Sequence, residues 1–149
     1  EIGVRLVGSE MCIRDRGKII HICCQDANDQ SKIQRQFENW WRKQAKALLQ
    51  ERTEHWYPII EKYGIPMPKV SVRKMKTLWG SCSVNRGIIT LNFYLIKAGI
   101  PYIDYVVLHE LTHFLYPNHS KQFYMFLSNY MPDWKERKQV LDQDIVHEL

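Results

Sequence analysis

Residues 109–113 read His-Glu-Leu-Thr-His, and this spacing restricts the fold more than any other feature of the chain. Two histidines four residues apart act together only on an α-helix, where they lie about 40° apart around the axis and one turn apart along it. The surrounding pattern agrees with a helix. Ile103, Val106, Val107, Leu111 and Phe114 recur at the 3.6-residue period and form an apolar stripe that would anchor it on a core. Pro101 suits the first helical turn. Tyr116-Pro117 ends the segment at about Leu115, because a residue before proline is pushed out of the α region.

Such a helix aims both imidazoles the same way, and together they can take two corners of a tetrahedral zinc site. Glu110 lies between them in sequence but to one side, where it is suited to deprotonating a metal-bound water rather than to ligation. A catalytic zinc needs a third protein ligand and one open position. His119 follows the Tyr116-Pro117-Asn118 break. A continuing helix would carry it to another face, whereas a chain that turns back at Pro117-Asn118 returns it to the metal. Asn118 tolerates the left-handed conformation such a turn can require. An H-E-x-x-H arises by chance roughly once in a hundred chains of this composition, and one further fixed histidine lowers that to roughly one in a thousand. One zinc ion per chain, held by His109, His113 and His119, is therefore expected.

The rest of the chain sets bounds. With 149 residues, 45% of them hydrophobic, it is long enough to bury a core as a single domain. No apolar run approaches the roughly eighteen residues of a membrane span. Arg5, Arg14, Asp15 and Arg16 leave no clean apolar stretch for a signal peptide. A cytoplasmic protein without a membrane partner is expected. Cys23 and Cys24 are adjacent and no C-x-x-C pair exists, so the four cysteines are read as reduced thiols and not as a zinc knuckle. The net charge of +5 permits a nucleic-acid partner without demanding one.

Residues 1–17 show no sustained period and do not lead into the next segment, so they are read as a non-native or disordered leader, with the domain spanning 18–149. Ile19, Ile20 and Ile22 predict a strand over 18–25, and the turn at 26–31 supplies a helix cap. Ile33, Phe37, Trp40, Trp41, Leu48, Trp56, Ile59 and Tyr63 share one face of a long amphipathic helix, kinked or restarted near Pro58 and stopped by Gly64 and Pro66. Val70 and Val72 mark a strand, residues 79–83 a turn-prone loop, Asn85-Arg86-Gly87 a hairpin-like connection, and Ile88–Leu91 a second strand. Helices over 120–130 and 132–145 complete one α+β domain.

The stretch HELTHFLYPNHSKQF, His109–Phe123, resembles the YgjP-like family of small bacterial zincin metallopeptidases, which show H-E-L-x-H followed by N-H-S and a phenylalanine. WGSCS at 79–83 is similar to that family's second signature, as is the strand at 89–92. The SprT-like proteases are more distantly similar. The resemblance implies a zincin-like α+β domain with a long N-terminal helix, a small β-sheet, a zinc-binding helix and C-terminal helices. It implies His109, His113 and His119 as zinc ligands, Glu110 as catalytic base, and a peptide or unfolded protein as substrate. Two departures stand out: Leu78 occupies a position where the family commonly has arginine, and the β structure usual ahead of the long helix is expected to be largely missing.

Other residues admit two readings. The 79–83 stretch either frames the cleft or is a glycine turn pinned by a buried tryptophan. Cys82 lacks a histidine partner and is not expected to be a nucleophile. The strand at 87–92 is either an interior strand or an edge that pairs with an extended peptide. Trp40, Trp41 and Trp56 are read as core. Lys69, Arg73, Lys74, Lys76 and Arg86 are read as a solvated face rather than a phosphate site. Two rivals to a zinc metallopeptidase follow: a metal-dependent nucleotide phosphoanhydride hydrolase, and a non-catalytic zinc or nucleic-acid-binding module. The oligomeric state is left open.

Overall fold

The computed structural model describes the backbone of residues 2–6, 13–16, 19–24 and 29–147, and the side chains of residues 29–143. The side chains of Cys12, Cys23 and Cys24, read as free thiols, lie outside the described residues, as do those of the leader. The chain divides into two units, residues 1–44 and 45–149.

In the first unit, β1 (Ile2–Leu6), β2 (Ile13–Arg16) and β3 (Ile19–Cys24) form a sheet of order β1-β3-β2. β3 runs parallel to β1, with Ile20 opposite Ile2, and antiparallel to β2, with Ile22 opposite Ile13. β3 is the strand that Ile19, Ile20 and Ile22 predict. β structure does precede the long helix, which corrects the expected shortfall. That helix, α1 (Gln30–Trp56), begins after Asp29. The Asp29 carboxylate accepts from the Lys32 backbone N–H at 3.0 Å and from the Ser31 hydroxyl at 2.8 Å, capping the orphan donors of the first turn. Phe37, Trp40 and Trp41 form an aromatic cluster with ring centroids 5.6–6.3 Å apart. Trp40, Trp41 and Trp56 are only half-buried, so the core reading of these tryptophans is corrected.

The second unit takes over α1 at Ala45. Ala45, Leu49 and Thr53 recur every fourth residue and are fully buried. Arg52 on the same turn forms a two-pronged ion pair with Asp104, at 2.7 and 2.9 Å. Pro58 restarts the helix as α2 (Pro58–Glu61), and Gly64, at φ 77°, supplies the left-handed residue that ends it. Tyr63 is exposed, not part of the apolar face.

β4 (Lys69–Arg73), β5 (Gly80–Ser83) and β6 (Ile88–Asn92) form the second sheet, of order β4-β6-β5. β6 pairs parallel with β4, Val70 opposite Ile89, and antiparallel with β5, Gly80 opposite Leu91. One open reading is decided here and one changes. The strand at 87–92 is the middle strand, because both its flanks are hydrogen-bonded. Residues 80–83 are the edge strand β5 and not a loop. A 3-10 turn over Val84–Arg86 and Gly87 at φ 61° join the antiparallel pair.

α3 (Ile100–Thr112) carries the H-E-x-x-H segment, with Pro101 in its first turn. It is buried nearly all round: Ile103, Asp104, Tyr105, Val106, Val107, Leu108, Glu110, Leu111 and Thr112 are all inside. The one-stripe reading is therefore too narrow, because β5, β6, α4 (Lys121–Tyr130) and α5 (Trp134–His147) all contact this helix. α4 is capped by Ser120, whose hydroxyl accepts from the Phe123 N–H at 3.3 Å. Among the described residues no helix is long and apolar enough to cross a membrane.

Candidate metal centre

α3 delivers His109 from its last full turn and places His113 at its C-terminal cap. Tight turns then follow, closed by Phe114 N–H to Leu111 O at 3.1 Å and Tyr116 N–H to Thr112 O at 2.9 Å. They swing the chain back so that His119, in the loop before α4, faces both helical histidines. No non-glycine residue among those described has positive φ, so the return needs no left-handed Asn118; the hydrogen-bonded turns and Pro117 suffice.

The three imidazoles meet edge to edge. Nε2 of His119 lies 3.0 Å from Nε2 of His109 and 3.1 Å from Nε2 of His113. Their ligand atoms all lie within 4.8 Å of one another, so the trio can hold a metal ion. These contacts cannot all be hydrogen bonds. The Tyr116 carbonyl, 3.2 Å from Nδ1 of His113, takes that ring's single N–H and leaves its Nε2 a bare lone pair. A single Nε2–H on His119 could serve only one of its two neighbours. Lone pairs converging like this are what a cation stabilises, and tetrahedral zinc ligands at roughly 2.0–2.1 Å would stand about 3.3 Å apart. The residues fit the ion.

The electrostatics favour the ligating form. Burial, followed by the neighbouring His113 and His119, holds His109 down to about 3, so its ring is neutral at ordinary pH. Burial likewise lowers His113. Phe123 stands edge-on to His109 and His119 and tilted to His113, with centroids 4.7–4.9 Å away, and fixes their planes.

Glu110 points into the same cleft, a cavity of about 220 Å³ that it shares with His109, His119, Tyr105 and Trp79. Only 5% of Glu110 is exposed, and burial pushes its carboxyl up to about 8. α5 forms part of the wall through Leu141, whose carbonyl accepts from the Trp79 indole N–H at 3.1 Å. The thiol of Cys82 on β5 is pushed up to about 12, first by burial and then by the Glu110 carboxylate, so it stays protonated and is no nucleophile. None of Lys69, Arg73, Lys74, Lys76 and Arg86 lines the cleft.

Two residues escape the sequence reading. Gly80 sits directly against Glu110, and a glycine at the start of a strand is the one signal that could have marked a close approach. Asn92 ends β6 and binds two carbonyls of the 75–79 segment, at Met75 (2.9 Å) and Leu78 (2.8 Å). Nothing in its sequence context marks that role.

Comparison with known proteins agrees with this geometry. The sequence model of the family described as "YgjP-like, metallopeptidase domain" matches residues 4–144. No curated protein matches the sequence. Among solved structures, the metallopeptidase zymogen abylysin of Pyrococcus abyssi is similar at 25% identity and a TM-score of 0.57, covering 64% of this chain and 93% of its own. The zymogen jannalysin of Methanocaldococcus jannaschii shares the fold at 23% identity and a TM-score of 0.54, covering 65% of this chain and 96% of its own. Since the family match runs through both sheets, the helix bearing His109 and His113 and the loop bearing His119, this chain belongs to the YgjP-like family and is a metallopeptidase domain.

Proposed function

We propose that the chain hydrolyses peptide bonds of unfolded or extended protein segments, with one zinc ion on His109, His113 and His119 and with Glu110 as general base. The observation that carries this reading is the convergence of three imidazole Nε2 atoms, two of whose rings, His109 and His119, line one cleft with the buried Glu110 carboxylate. A zinc ion held by His109, His113 and His119 would supply a Lewis acid able to lower the pKa of water toward neutrality and to polarise a peptide carbonyl. The chain's own part is then proton handling and orientation. The Glu110 carboxylate accepts the proton of the attacking water and passes it to the leaving amine. Its raised pKa suits it to hold that proton between the two steps, and a nearby divalent charge favours the anion that begins the cycle. The Tyr116 carbonyl keeps His113 in the tautomer whose Nε2 is a bare acceptor facing His119. β5, beside α3 and at the edge of its sheet among the described residues, offers a flank to which an extended peptide can add.

A nucleotide hydrolase would be expected to line the same cleft with cations. Among the described lining residues the one cation is Lys138, and it is paired with Asp142. The test is zinc content and turnover on one preparation, purified without added metal. Wild type and Glu110→Gln should each carry about one zinc, and only wild type should cleave an unfolded protein such as reduced casein. Equal cleavage by both would refute the role of Glu110. Nucleoside triphosphate hydrolysis without proteolysis would move the substrate class.

A further inference from the structure

We propose that Gly80 is a positioning residue for the Glu110 carboxylate: a position on β5 without a side chain is what lets that carboxylate lie flat against the strand and face the cleft. This rests on the reading of Glu110 as the general base. A Cβ added at Gly80 would stand 2.7 Å from Oε1 of Glu110, 2.9 Å from its Cγ and 2.9 Å from Cγ1 of Val106. Separations under 3.0 Å are ones that real Cβ atoms essentially never show, so something must shift. To regain ordinary contact at 3.4 Å the carboxylate oxygen has to retreat by about 0.7 Å.

Backbone conformation does not explain the glycine. The positive-φ glycines are Gly64, Gly87 and Gly99, and Gly80 is not among them. Its strand pairing opposite Leu91 is regular. Gly80 opens β5 and is paired within the sheet, where a residue with a side chain would lose less conformational entropy on folding if space allowed. Space is what is lacking, and Glu110 and Val106 are what fill it. Both lie on α3, one turn apart, and both are buried.

Geometry also says which way the carboxylate goes. Oε1 of Glu110 is the nearest atom to the added Cβ, and α3 is held by neighbours on all sides. The side chain therefore yields before the helix does. A base displaced by this distance falls out of line with the water it must deprotonate, and misplacement by about 1 Å can cost on the order of 100-fold in rate.

Gly80→Ala, Val106→Ala and Glu110→Ala, alone and in pairs, test this through zinc content, melting temperature, casein cleavage and a crystal structure of Gly80→Ala. Gly80→Ala should keep its zinc and its KM, lose about 100-fold in kcat, and show the Glu110 carboxylate displaced. Gly80→Ala/Val106→Ala should stay as impaired relative to Val106→Ala alone. Its recovery to the Val106→Ala rate would mean that the glycine serves helix packing, and would overturn the proposal. Should Gly80→Ala fail to fold, Gly80→Ala/Glu110→Ala should recover a cooperative melt, and failure to recover counts against the proposal. An unmoved carboxylate in the crystal structure overturns it whatever the rates. If wild type and Glu110→Gln cleave equally, the base reading fails separately, and carboxylate displacement alone then judges the role of Gly80.

Discussion

Glu110 and His109 are neighbours in sequence, both are removed from water, and burial drives their ionisation in opposite directions. In the metal-free chain each leaves its own mark on stability. His109 is held below its ordinary 6.5, so the folded state resists its protonation; that contribution is whole above 6.5 and is lost as pH falls toward about 3. Glu110 is held above its ordinary 4.5, so its contribution is whole below 4.5 and is lost as pH rises through about 8. Glu110→Gln removes only the second effect. In urea unfolding with a chelator present, the variant and wild type should agree near pH 4.5. They should then diverge in favour of the variant by up to about 1.4 kcal/mol per pH unit until about 8. Parallel profiles would show that the carboxyl is not desolvated. Zinc should shrink the divergence, because a divalent charge nearby offsets the cost of the buried anion.

At the scale of elements, Asn92 decides where β5 begins. It is 4% exposed, donates from Nδ2 to the Met75 and Leu78 carbonyls, and accepts the Tyr94 N–H on Oδ1 at 3.1 Å. Its own N–H donates to the Trp79 carbonyl at 2.9 Å. Asn92→Ala would strand two carbonyls and one N–H, and should cost about 2–4 kcal/mol in urea unfolding. A loss under about 0.5 kcal/mol, the level of an ordinary surface substitution, would refute the latch. The zinc content should not change, since all three histidines lie elsewhere. This latch also shows what a sequence can carry. α3 and the return of His119 were legible because helical periodicity and Pro117 are local signals. β5 was not legible: Gly-Ser-Cys-Ser has neither alternation nor a β-branched residue, and pairing with β6 holds it instead. The middle position of β6 is likewise a product of strand order, which no single strand encodes. The burial of Glu110 was hidden for the same reason. On the helix it reads as a polar-face residue, and only a glycine thirty positions earlier makes room for it.

For the whole molecule, the question is how much of the chain the metal centre needs. Every candidate site residue lies in the unit 45–149, which has its own core from Leu49 and Ile60 through Leu111 to Leu141. Within that unit the Arg52–Asp104 pair ties the end of α1 to α3, with side chains only 15% and 12% exposed. Arg52→Ala would leave Asp104 an unpaired, largely buried charge and should cost about 3 kcal/mol. Among the described residues, the backbone pairing of β1 and β2 is with β3, inside the unit 1–44. A chain beginning at Lys18 would strip β3 of both neighbours but, among the described residues, remove no backbone pairing from the second sheet. We propose, on that ground, that residues 18–149 suffice for the metallopeptidase domain. The shortened chain should keep a cooperative thermal transition and bind zinc as tightly as the full chain in a competition titration. If it melts without a transition, or zinc affinity falls tenfold, then β1 and β2 belong to the functional fold and the boundary at residue 18 is wrong.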